Sequence, residues 1–66
     1  MNVKAKIIES GKTITEVAEL LSKKYNQPVS VQNLSQKIRR ESIRFTEVED
    51  IADVLGYEIV WKKREG

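Results

Sequence analysis

Residues 30–40 read Ser30-Val31-Gln32-Asn33-Leu34-Ser35-Gln36-Lys37-Ile38-Arg39-Arg40, and the fold follows from how this stretch divides into two faces. Wound at ~100° per residue, it sets Leu34 and Ile38 on one side with Val31 beside them. Gln32, Gln36 and Arg40 project from the opposite side, flanked by Asn33 and Arg39. Ser30 stands where a helix cap belongs, since its hydroxyl can accept a bond from a free first-turn amide. The spacing predicts a short amphipathic helix: one strip adheres to a small core, and the outer face carries no acid until Glu41.

Working back from Ser30, Val29 is placed to dock into the core just before the cap. Asn26-Gln27-Pro28 breaks the chain there, because proline lacks an amide donor and disfavours helix in the residue before it. The preceding helix opens at Thr13, with Glu16 three residues on in capping-box form. Its apolar stripe is Ile14, Val17, Ala18 and Leu21, with Leu20 and Tyr25 at the edges. Val3, Ile7 and Ile8 recur at helical spacing in a first segment that Gly11 ends.

Working forward, Thr46 and Glu49 repeat the capping-box spacing and are expected to start a further helix. Its stripe is Val48, Ile51, Ala52 and Leu55, its acids other than Asp53 lie away from that stripe, and Gly56 suits a left-handed closing residue. The period then changes. In Tyr57-Glu58-Ile59-Val60-Trp61-Lys62, Tyr57, Ile59 and Trp61 alternate onto one face, in residue types that favour strands. A lone strand leaves its backbone groups unpaired. Its most economical partner is the same strand of a second copy related by a two-fold axis; the alternative is that 57–61 pack apolar side chains on the helices.

The chain has 66 residues, no Cys and no His, so it is expected to form one domain over 1–66, with 63–66 a frayed tail. Neither a disulfide framework nor the usual zinc site is available, and no metal or cofactor is expected. No apolar run is long enough for a signal peptide or a membrane span; the expectation is a cytoplasmic protein with no membrane partner and no evident small-molecule effector. Hydrophobic content of 39% allows a small core with little to spare, so self-association would help stability. The formal charge of +2 hides a division: residues 30–45 sum to +3 and residues 46–58 to −5. Such asymmetry states which surface can meet a polyanion.

The chemistry of the 30–40 face fits that charge. Gln, Asn and Arg can make two parallel hydrogen bonds to adenine or guanine edges in a major groove, and a surface facing phosphates must exclude carboxylates. Lys23 and Lys24 read equally as a phosphate clamp or as cations suited to a helix C-terminus. Tyr57 and Trp61 could stack on bases, but on a strand beside a small core they read more simply as packing or interface residues. An enzyme is not expected: there is no His or Cys, no phosphate-cradling glycine loop, and no cleft gathering carboxylates.

The string Gly11-Lys12-Thr13-Ile14-Thr15-Glu16-Val17-Ala18-Glu19-Leu20-Leu21, followed by Ser30-Val31-Gln32-Asn33-Leu34-Ser35, resembles the helix-turn-helix of the Xre/Cro family of repressor-like proteins. Phe45 to Tyr57 is similar to the helix that follows in that family. The resemblance covers residues 3–60. It implies a mainly α, compact four- to five-helix repressor-like helix-turn-helix domain, here with a C-terminal β-strand over 57–62.

By the same resemblance, Ala18 is the small residue that lets the paired helices approach, and Leu34 anchors the recognition helix. Gln32, Asn33, Gln36 and Arg39 would contact DNA bases; Thr13, Ser30, Lys37, Arg40 and Arg44 would hold DNA phosphates; and Tyr57, Ile59 and Trp61 would form a dimer interface. The implied activity is that of a transcriptional regulator, a repressor acting as a homodimer on a partly palindromic stretch of double-stranded DNA, of the kind small phages, plasmids and other mobile elements use. The alternative on the same scaffold is a protein-interaction module, an antitoxin-like adaptor with a protein partner. Two features depart from the family pattern. The Ala18–Leu34 connection is longer, and Glu41-Ser42 stand where a glycine often ends the recognition helix.

Overall fold

A computed structural model describes residues 2–64 and is mainly helical, with four helices among the described residues: α1 (Val3–Glu9), α2 (Ile14–Tyr25), α3 (Val31–Arg39) and α4 (Phe45–Leu55). Met1, Glu65 and Gly66 lie outside the described residues, and with them the end of the tail expected over 63–66. None of these helices is long and apolar enough to cross a membrane.

The starts of the helices follow local chemistry. Asn2 caps α1, its Oδ1 accepting from the Ala5 amide at 3.0 Å. Thr13 and Glu16 form the expected reciprocal box: the Glu16 amide donates to Thr13 Oγ1 and the Thr13 amide to Glu16 Oε1, each at 3.1 Å. Ser30 caps α3 by accepting from the Asn33 amide at 3.2 Å. The start of α4 differs from the sequence reading. Helix begins at Phe45, ahead of Thr46, and it is the Arg44 amide that donates to Glu47 Oε1, at 3.3 Å. Ile43 just before the cap and Val48 one turn into the helix both pack on the core. This hydrophobic staple fixes the entry of the chain, and Thr46 is left inside the first turn.

All four of these helices close with one geometry. A residue turns left-handed at Gly11 (φ 76°), Asn26 (54°), Glu41 (55°) and Gly56 (82°). The amide after each donates back to the carbonyl five residues earlier: Lys12 to Ile7, Gln27 to Ser22, Ser42 to Lys37 and Tyr57 to Ala52, at 3.3, 3.1, 3.0 and 2.8 Å. Such a motif satisfies carbonyls that a helix end would leave bare. Glycine adopts it freely and Asn tolerates it, but Glu41 bears a Cβ that opposes the left-handed region.

The core consists of Val3 and Ile7 of α1, Val17, Ala18 and Leu21 of α2, Leu34 of α3 and Ile51 of α4, with Ile14, Val29, Ile38, Ile43, Val48, Val54 and Leu55 packed around them. Helix α2 is the hub, packing against both α3 and α4. The long connection before α3 resolves mostly as helix: α2 continues through Tyr25, leaving only residues 26–30 between the two. Ser22 secures that short link. Its Oγ donates to the Ala18 carbonyl at 2.7 Å and accepts the Val29 amide at 2.9 Å, so a part-buried donor is satisfied where no helix bond reaches it.

The strand expected over 57–62 is not present: residues 57–64 carry neither helix nor strand. A single copy offers no second strand, and among the described residues the backbone of 58–64 makes no hydrogen bond. The segment instead lies against the helices. Ile59 is half-buried, the Lys6 ammonium sits 5.8 Å from the Tyr57 ring centroid, and Trp61 reaches Phe45 at 6.5 Å between ring centroids.

The strain at Glu41 gives a direct test. Relieving a left-handed non-glycine residue recovers ~1–2 kcal/mol, offset in part by the greater freedom of unfolded glycine. Glu41→Gly should therefore raise the urea-unfolding free energy by about 0.5–1 kcal/mol, while Gly56→Ala should lower it; an unstabilised Glu41→Gly would mean that the turn relaxes without strain.

Candidate functional site

The sequence of α3 determines its presentation. Leu34 is 3% exposed and Ile38 half-buried, so the helix can lie only one way on α2. Gln32, Asn33, Gln36, Arg39 and Arg40 are consequently all exposed. Over Val31–Arg39 this surface holds no acid; Arg40 and the exposed Arg44 extend it beyond the helix end.

The remaining expected site residues are placed unequally. Ser30, Asn33 and Lys37 line one cleft of about 230 Å³ with Leu21, Tyr25 and Glu47. The Ser30 hydroxyl accepts the Asn33 amide and keeps its own proton for a ligand oxygen. Thr13 is less free: its hydroxyl accepts the Glu16 amide and lies 3.2 Å from Glu16 Oε1, so its one proton is directed at a carboxylate. Lys37 is also engaged, its Nζ 3.0 Å from Glu47 Oε2. Of the residues expected at a dimer interface, Tyr57 and Ile59 line a groove with Val3, Lys6 and Leu55, while Trp61 is 85% exposed.

The acids of α4 that lie away from its apolar stripe are not all without partners. Glu47, Asp50 and Asp53, spaced three apart, form one edge of α4 that meets α2 and α3. Lys24 Nζ lies 2.7 Å from Asp53 Oδ2, the Tyr25 hydroxyl donates to Asp50, and Lys37 meets Glu47. The pairing with Asp53 raises the Lys24 pKa and accounts for this lysine as a link between helices. Partial burial, reinforced by the hydrogen bond to Asp50, pushes the Tyr25 hydroxyl up to about 12. These partners lie 10, 25 and 29 residues apart in the chain, beyond any local pattern. Glu47 did carry a signal, as the acid three residues after the true cap, but Arg44 is not a residue type that marks a helix start. Among the described residues no group of three or more acids is gathered so as to hold a metal ion.

Comparison of the chain with protein-family models, with curated proteins and with solved structures found no match.

The Tyr25–Asp50 link has a pH signature. Below pH ~10 tyrosine is protonated in folded and unfolded chains alike. From there to about 12 the folded state keeps a proton that the unfolded state has lost, so stability falls as pH rises through this window. Tyr25→Phe should flatten the loss between pH 10 and 12, as read by denaturant melts; an unchanged slope would place the titrating group elsewhere.

Proposed function

We propose that the chain is a sequence-specific double-stranded DNA-binding protein, a transcriptional regulator of the Xre/Cro type in which α2 and α3 act as the helix-turn-helix. The observation that carries this reading is the outer face of α3: Gln32, Asn33, Gln36 and Arg39 are exposed together, on a helix whose apolar strip is buried by Leu34. These side chains match the donor and acceptor pattern of base edges. Arg40, Arg44 and Ser30 at the rim supply cations and a hydroxyl for phosphates. Three α4 acids are engaged by α2 and α3, Asp53 by Lys24, Asp50 by Tyr25 and Glu47 by Lys37, so that two of the three carboxylates are paired with cations. Acting by occlusion, such a protein is a repressor.

Binding should be recovered by selection from random duplex DNA as an enriched motif, and its affinity should fall steeply with salt, at a slope of about −0.9 per phosphate neutralised. Replacing Gln36 and Arg39 with Ala should relax the preferred sequence and cost about 1–3 kcal/mol for each base-edge pairing removed. No enriched motif, with binding indifferent to both substitutions, would falsify the assignment of this face.

The protein is proposed to act as a homodimer, its two recognition helices set ~10 base pairs apart or a multiple of that. The unbonded backbone of 58–64 and the exposed Val60 and Trp61 support pairing of residues 57–62 between two copies. Light scattering at tens of micromolar should give a dimer mass for the parent chain and a monomer for Trp61→Ala; a parent that stays monomeric rules the arrangement out. The same exposed apolar residues favour the second reading, a protein-interaction module, which predicts no duplex motif.

A further inference from the structure

Glu47 is a meeting point that the proposed DNA interface does not use. Its two carboxylate oxygens do different work: Oε1 accepts the Arg44 amide at 3.3 Å, closing the first turn of α4, and Oε2 holds Lys37 Nζ of α3 at 3.0 Å. Glu47 and Lys37 line the same cleft as Ser30 and Asn33, both on the DNA-facing side of the proposed interface. A phosphate docking at this cleft would therefore meet a Lys37 already paired with a carboxylate. The lysine side chain is 47% exposed and that of Glu47 25%, and Glu47 alone of the two is also held by a backbone amide, that of Arg44.

Resting on the reading of α3 as the DNA-facing helix, we propose that Glu47 is a positioning residue that competes with the DNA phosphate for Lys37 and so sets how many phosphates the protein neutralises. With Glu47 ionised, Lys37 is already paired and releases little counterion on docking. Without that charge, Lys37 turns to the cleft and neutralises one phosphate more. The device restrains the sequence-independent part of affinity, which depends on phosphates, and leaves the base-reading side chains of α3 untouched.

The test uses Glu47→Gln, whose amide oxygen still caps the Arg44 amide but has no charge to hold Lys37. Fluorescence anisotropy with a labelled duplex of about 25 base pairs carrying the selected motif, read across a salt series, should show Glu47→Gln binding roughly two- to fivefold more tightly than the parent near 0.1 M salt. Its log K against log salt slope should steepen by about 0.9. Glu49→Gln, on the exposed side of α4, controls for the loss of one negative charge at a distance and should move neither quantity comparably. In a Lys37→Gln background the effect of Glu47→Gln should vanish.

A slope change equal in Glu47→Gln and Glu49→Gln, or one that persists without Lys37, overturns the proposal while leaving DNA binding intact. So does a Glu47→Gln chain that binds no better than the parent with an unchanged circular-dichroism melt. A parent chain with no salt-dependent binding to any duplex overturns the DNA-binding reading itself, and this inference with it.

Discussion

Leu34, 3% exposed, shares its buried cluster with Val17, Ala18 and Leu21 of α2, and the orientation of α3 depends on that packing. The helix is only nine residues long, too short to be stable in water by itself. It owes its existence to one fully buried anchor, to Ile38 and Val29 on the flanks, and to the Ser30 cap. Burying a leucine contributes ~1.5–3 kcal/mol, a large share of what a domain of this size has to spare. The same burial decides the presentation. Once Leu34 points inward, 3.6-residue periodicity leaves Gln32, Gln36 and Arg40 nowhere to go but outward.

A second layer of organisation lies over this core. Three acids at one edge of α4 meet Lys24, Tyr25 and Lys37, tying the end of α2 and the flank of α3 to the last helix. Exposed pairs of this kind add little stability; their effect is on charge distribution. Two of the three carboxylates are paired with lysines, whereas the Tyr25 hydroxyl bonds Asp50 without cancelling its charge. The cations left on the outer surface of α3 and just past it are arginines, whose planar donors suit bidentate contacts with bases and phosphates.

The tail makes the opposite point. Its residues alternate as a strand should, yet in a single copy no ladder forms, because a strand is a property of a pair. The apolar side chains then divide. Ile59 finds the groove beside α1 and α4, Tyr57 takes the Lys6 ammonium on its face, and Trp61 leans on Phe45 while remaining largely in water. The segment is thus accommodated by its own chain without being consumed by it.

Much of this was legible in the residues themselves. The strip of Leu34 and Ile38, without Val31, which stays exposed, the Thr13–Glu16 box, the Ser30 cap and the glycines at 11 and 56 are each set by near neighbours in sequence, so the chain encodes them locally. The polar face of α3 was legible for the same reason, because one periodicity sets both faces. Other features required the fold. Arg44 and Glu47 open α4 in place of Thr46 because Ile43 and Val48 staple the entry to a core that exists only once α2 is in place. Glu41 turns left-handed because the chain must reverse there, whatever its side chain prefers. The links from Lys24, Tyr25 and Lys37 to α4 join residues that packing, not spacing, brings together. Local periodicity determined which side chains of α3 face outward; tertiary packing decided which of the neighbouring charges remain free to meet a ligand.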